Sequence, residues 1–316
     1  MDLNTEQIGK GGNRQGMKKI CAAFRHYEGP TLLVAITVYV GWTALILHHD
    51  QIPWPVIFVF GGILAAWHSS VIHESVHNLN SIPKWLKNII IFPPLGVWYP
   101  YAYYVRAHII HHRDNNLTHP VRDPESYYLT RVRWRQTGTL VKSLLMINQT
   151  FAGRMVIGPF ISVYRLVAGN IRKVMSGDNR TIKGLVIHGI SLAVLFGFVS
   201  GVAGMVWWQY LLLVAYPGLM LGLVRSFCEH GAAINPNHRT AIVESGTFFS
   251  LLFLYNNLHV VHHQNPSMRW YDIPSYYRDH REEIHRHNGG YVFSGYGDVI
   301  RKTLFTPAFL PVHPSS

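Results

Sequence analysis

Four stretches of this chain are apolar and long enough to cross a lipid bilayer, and that constrains its fold more than any other feature. A backbone inside hydrocarbon has no water to bond, so it must satisfy its own polar groups as a helix or a closed barrel. The stretches run from about 31 to 48, 52 to 77, 183 to 207 and 209 to 225. Short links join them in pairs, one around His49, Asp50 and Gln51 and the other at 207–209, so each pair reads as a membrane hairpin. Trp54, Trp207 and Trp208 lie at these links, where interfacial aromatics belong. No linker, internal repeat or low-complexity tract interrupts the chain. The expected architecture is a single all-α integral membrane domain over residues 1–316, with four transmembrane helices in two hairpins and a helical cytosolic cap.

Charge gives the orientation. Only 14% of residues are charged, against roughly 25% in an average soluble protein. The net charge of +12 would suggest nucleic-acid binding in a soluble chain. Its distribution argues for a membrane and no nucleic acid. Neither hairpin link holds a Lys or Arg, whereas the N-terminal arm carries Lys10, Arg14, Lys18, Lys19 and Arg25. The remaining basic residues lie between the second and third spans or after the fourth. The positive-inside rule then puts both termini and the middle segment in the cytosol. The N-terminal 30 residues are polar and basic and do not resemble a cleaved signal peptide. Cys21 and Cys228 are too few for a disulfide framework. Residues 89–104 are apolar but broken by Pro93, Pro94 and Pro100, and should lie in the interface or wedge against the spans. Residues 140–167, interrupted by Lys142, Arg154 and Arg165, should form an interfacial amphipathic pair, with 247–258 similar in kind.

Histidine is the anomaly: there are 20, and eight fall into three tight clusters. His73 and His77 form an HxxxH pair at the cytosolic end of the second span, four residues apart and on one helix face. His108, His111 and His112 form an HxxHH box, and His259, His262 and His263 repeat that spacing about 150 residues later. A lone His230 follows the fourth span. Topology brings all nine to one side of the membrane. They suit two metal ions at four or five nitrogens each, and imidazole suits iron, zinc and copper alike. The other histidines read as surface, helix-end or packing residues, with His119 left open because it follows the second box closely.

These boxes resemble the signature of the membrane fatty-acid desaturase superfamily, in which an HxxxH-type box and two HxxHH boxes surround four spans. The resemblance covers roughly residue 31 to the C-terminus. It extends to residues 113–126 (RDNNLTHPVRDPES), and to Asn288-Gly289-Gly290-Tyr291 and Gly295-Tyr296-Gly297-Asp298. These look like bacterial members, so the bacterial inner membrane is the expected location. His119 stands where the family pattern carries an acidic residue.

The resemblance implies two iron ions bound by the nine histidines, with His230 as the isolated ligand, and reductive activation of O2 to oxidise an acyl chain. Desaturation is the favoured outcome. A hydroxylase, a carotenoid-type ketolase or an enzyme forming a terminal alkene from a fatty acid would use the same scaffold. Glu74, Glu229, Asp123 and Glu125 are candidates to orient the ligand imidazoles through their second nitrogens. The chain lacks a dinucleotide fingerprint and a cysteine set for an iron–sulfur cluster. An external electron donor of ferredoxin or cytochrome type is therefore implied, and Arg131, Arg133 and Arg135 could steer an acidic one or bind anionic lipid. Two rival readings stand beside this. His73-Glu74-Ser75-Val76-His77 also fits HExxH, the zinc-peptidase pattern with Glu74 as general base. A bis-histidine haem or metal-transport protein would need ligands facing each other within the spans, where only His68 and His188 fall.

Overall fold

The computed structural model describes residues 16–17, 19–113 and 116–315. Lys10, Arg14 and Lys18 of the basic arm, and residues 114–115 after the second box, lie outside the described residues. Four helices are long and apolar enough to cross a membrane: Gly29–Leu47, Trp54–His77, Asn179–Val202 and Trp207–Glu229. The expected hairpins are there, with shifted ends. The third span starts four residues before the expected 183 because Asp178 caps it, accepting hydrogen bonds from the Arg180 and Thr181 amides. It stops at Val202, before a turn containing Gly204 at φ 75°. The fourth span runs past Arg225 to Glu229. These two residues, one helical turn apart, form an ion pair at 3.0 Å, so the helix carries its own charge balance through a position that looked like its end.

Spans two and four are the frame. Small residues let their backbones approach closely, the usual device where lipid offers no hydrophobic drive for helix association. A Cβ at Gly218 would stand 2.5 Å from the Cβ of Ala65, and one at Gly62 would meet Pro217 at 2.8 Å. Span one packs on this pair, with Val38 and Ile46 fully buried and Trp42 donating to the Tyr210 hydroxyl at 3.1 Å. The third span stands at the edge: 11% of its apolar window is buried, against 39–44% for the others.

The proline-broken segment does wedge against the spans. A short helix, Lys84–Ile91, ends within it and the helix Tyr101–Arg113 begins within it, leaving the prolines between them. Its freed carbonyls are bonded from the spans: Tyr210 Oη donates to Leu95 O at 2.9 Å and His188 Nε2 to Val97 O at 2.8 Å. Trp98 Nε1 in turn donates to Ala215 O. Buried non-helical backbone is tolerated at this depth only with such partners. His68 and His188 are thus packing histidines, His68 meeting the Tyr39 hydroxyl at 2.9 Å.

Residues 140–167 form three helices rather than the expected pair: Thr139–Ile147, Phe151–Val156 and Gly158–Met175. Thr150 caps the middle one through the Gly153 amide, and Gly158-Pro159 restarts the chain as a new helix. Leu140, Val141, Phe160 and Tyr164 stay exposed, as an apolar face lying on a membrane would be. Beyond the fourth span come Thr247–Leu252, His259–Gln264, Ile273–His287 and Tyr296–Thr303. A two-stranded parallel pair, Ile242–Val243 with Val292–Phe293, holds this region together.

The tight contact between spans two and four gives the first prediction. Gly218→Leu should lower the stability of the detergent-solubilised protein by about 1–3 kcal/mol, the cost of overpacking, whereas Gly189→Ala, with open space around its Cβ, should not. Equal thermal midpoints for the two variants would contradict this packing.

Candidate metal centre

Helix ends deliver every histidine of the site. His73 and His77 occupy the last two turns of the second span, and His230 is the first residue after the fourth, where the backbone turns extended. His108, His111 and His112 lie on Tyr101–Arg113, and His259, His262 and His263 on His259–Gln264. These elements converge at one end of the hairpins. The ligand nitrogens fall into two groups, His73, His77, His108, His112 and His262 in one, His111, His230, His259 and His263 in the other. Within each group they all lie within 4.8 Å of one another.

The two HxxHH boxes interlock. In each, the residues four apart serve one group while the middle histidine crosses to the other. At 100° per residue, positions i and i+4 sit 40° apart on a helix, and i+3 lies on the far side of i. Each box therefore spans both groups, and the His112 and His263 rings stack at 4.3 Å between centroids where the groups adjoin.

The contacts within each group fit ligands of a shared ion better than hydrogen bonds. His230 Nε2 stands 3.0 Å from both His111 Nε2 and His259 Nε2. His112 Nε2 stands 3.1 Å from His108 Nε2 and 3.0 Å from His262 Nε2. An imidazole nitrogen has one lone pair or one hydrogen, so it cannot complete good bonds to two such neighbours. Two ligands about 2.1 Å from one ion stand roughly 3.0–3.4 Å from each other, which is the spacing found. The Nε2 atoms of His73 and His77 are buried with no hydrogen-bond partner among the described residues, and leaving such atoms unpaired would cost about 1–3 kcal/mol each.

The protonation states agree. Burial holds His230, His259, His262 and His263 well below their usual range, and brings His112 to about 2 with help from the neighbouring His108. Neutral imidazoles keep the lone pair a metal needs. Burial opposes charge on His111 too, but Glu125 and Asp123 outweigh it and raise that residue. Burial alone would raise Glu125; His108 and His111 instead bring it down to about 2, so it stays anionic.

Three of the four candidate carboxylates reach imidazoles, in two different ways. His108 Nδ1 donates to Glu125 at 3.0 Å and His111 Nδ1 to Asp123 at 3.0 Å. Asp123 is itself fixed by the Thr118 and Glu125 amides. Glu229 Oε1 is 3.6 Å from His259 Nδ1, too far for a hydrogen bond. It acts through Asn256, whose amide donates to Glu229 at 3.0 Å and whose oxygen accepts from His259 Nδ1 at 3.1 Å. Sequence reasoning missed Asn256, although its place three residues before His259 was a usable signal. Glu74 departs from its expected role. One residue beyond His73 it points off the ligand face, and it bonds Asn78 Nδ2 and the Trp270 amide instead. His119 joins neither group; its Nδ1 accepts from the Val121 and Arg122 amides and caps a turn.

A cavity of about 430 Å³ adjoins the centre. Tyr104, Glu125 and His230 line it beside the histidines, and Ala65, Trp98 and Gly218 line it among the spans. Tyr104 stacks on the His108 ring with centroids 5.4 Å apart. The cavity thus runs from among the spans to His230 and to Tyr104 and Glu125, which contact the His108 ring.

Asp123→Asn should weaken metal binding at the group containing His111 by about 10–100-fold, and Asn256→Ala should act on the same group through His259. Chelator competition reads both affinities; unchanged values would mean that these partners do not tune the imidazoles.

No curated protein matches the chain. Residues 51–295, which include all nine histidines and most of the chain, match the family model for fatty acid desaturases, and the chain belongs to the fatty acid desaturase family.

Proposed function

We propose that this protein is a membrane oxidase of acyl chains that holds two iron ions through His73, His77, His108, His112 and His262 on one side and His111, His230, His259 and His263 on the other. The observation that carries this reading is the pair of adjoining all-histidine groups beside a cavity that extends between the spans. Two irons bound there would supply reductive activation of O2 and removal of hydrogen from an unactivated C–H bond. Desaturation, with a second hydrogen leaving the adjacent carbon, is the favoured outcome on an acyl substrate.

The chain's own residues prepare that chemistry. Glu125, Asp123 and Asn256 keep a proton on Nδ1 of His108, His111 and His259, so Nε2 presents its lone pair toward the centre. Tyr104 and the buried rings around it exclude bulk water from the histidines. The cavity wall holds an extended chain in one orientation, which decides the carbon that faces the centre. HExxH peptidase chemistry is disfavoured because Glu74 is committed to Asn78 and Trp270. His73 and His77 also share their group with three further imidazoles.

The hairpin links lack Lys and Arg, which supports a cytosolic position for the centre and both termini, in a single membrane domain. Electrons would come from an external ferredoxin or cytochrome. The exposed guanidinium groups of Arg131, Arg133 and Arg135 on the helix Arg131–Gln136 offer it a basic docking face.

Elemental analysis of the detergent-purified protein tests the reading. About two irons per chain are expected, without a haem absorption band, together with an oxidised acyl product when fatty substrates and reductant are supplied. His111→Ala and His262→Ala, one from each group, should each abolish turnover and lower bound iron while leaving membrane insertion intact. One zinc per chain, or turnover retained in either variant, would overturn the assignment.

A further inference from the structure

The metal centre uses only part of its cavity. Arg154, Arg165 and Arg172 also line it, and among the described residues none of the three forms an ion pair with a carboxylate. The acids that line the same cavity are already committed: Asp123 to His111, Glu125 to His108, and Glu229 to Arg225 and Asn256. Arg154, Arg165 and Arg172 are thus cations of this wall that no carboxylate pairs with directly among the described residues.

Arg154 is the unusual member. It is 4% exposed. Its Nε donates to Asn148 O at 3.1 Å, and its guanidinium lies 4.6 Å from the centre of the Tyr127 ring and 5.5 Å from that of Phe227. Its Nη1 is buried with no hydrogen-bond partner among the described residues. Aromatic faces offset part of the cost of burying the charge, but a free N–H on a buried cation calls for an anion. Arg165 lies 4.9 Å from the same Tyr127 ring, bonded to Ser126 O at 2.5 Å. With Arg172 it adds to the positive field around the cavity.

We propose that Arg154 binds the carboxylate of an unesterified fatty acid, whose apolar chain occupies the rest of the cavity. A single free Nη against two aromatic rings suits a compact carboxylate rather than the several phosphates of a nucleotide-bearing thioester. The assignment rests on the proposed acyl oxidation for its substrate class, but it concerns binding and stands apart from turnover.

The test is equilibrium binding of labelled palmitate to the full-length protein as purified in detergent, without reductant so that no turnover occurs, with methyl palmitate and palmitoyl-CoA as competitors. The wild type should bind palmitate at least about tenfold tighter than the methyl ester, the worth of one charge-assisted hydrogen bond. Arg154→Gln should lose that preference while still binding the ester, and Arg154→Lys should keep part of it. Ester binding together with an unchanged thermal midpoint shows that the variants are folded. Equal wild-type affinity for acid and ester would overturn the proposal without recourse to any variant. So would a preference that survives in Arg154→Gln, or Arg154-dependent binding that favours the CoA thioester. Absence of oxidised product alongside the expected binding pattern would instead count against the oxidase reading alone.

Discussion

Nine imidazoles, drawn from four separate segments, meet nitrogen to nitrogen in a space that protein atoms alone do not satisfy. His230 Nε2 sits 3.0 Å from two other ring nitrogens, and the Nε2 atoms of His73 and His77 have no hydrogen-bond partner among the described residues. Such an arrangement is unfavourable unless its lone pairs converge on cations, so the site has the character of a binding centre held open by the fold. The carboxylates around it set which nitrogen faces inward. Asp123, Glu125 and the Asn256–Glu229 relay each accept from an Nδ1, which leaves the opposite lone pair free.

That convergence needs a rigid frame in a solvent that provides little drive for helices to associate. Gly62 and Gly218 supply it by letting spans two and four touch nearly backbone to backbone. The same contact brings His77, at the end of one span, level with His230, just past the end of the other. The proline-broken segment after the second span is tied back between the helices through Leu95, Val97 and Trp98. It thereby shapes the cavity that leads to the histidines, and Gly218 and Trp98 serve both the packing and the cavity wall.

The same cavity joins two demands that usually conflict. Its walls among the spans are apolar enough to accept a hydrocarbon chain, yet four arginines and three carboxylates also line it. The carboxylates are spent on the histidines and on Arg225. Arg154, Arg165 and Arg172 are paired with no carboxylate among the described residues.

Much of this was legible from residues alone. Four apolar stretches mark four candidate spans because a bilayer has a fixed thickness, and links free of Lys and Arg support the proposed cytosolic orientation because charge crosses it poorly. The spacing in HxxxH and HxxHH identifies eight of the nine histidines because residues three and four apart share a helix surface; His230 rested on its place after the fourth span and on the family resemblance. Ends of spans were less legible: Asp178 as a cap and the Arg225–Glu229 pair extend helices past charges that hydropathy reads as stops. The division into groups of five and four, the turn of Glu74 away from the site, and the relay through Asn256 depend on how separate segments face one another in space. So does the burial of Arg154 without an anionic partner. Local periodicity determines which residues share a face of their own helix; only packing between helices decides which faces meet, and here that decides the chemistry.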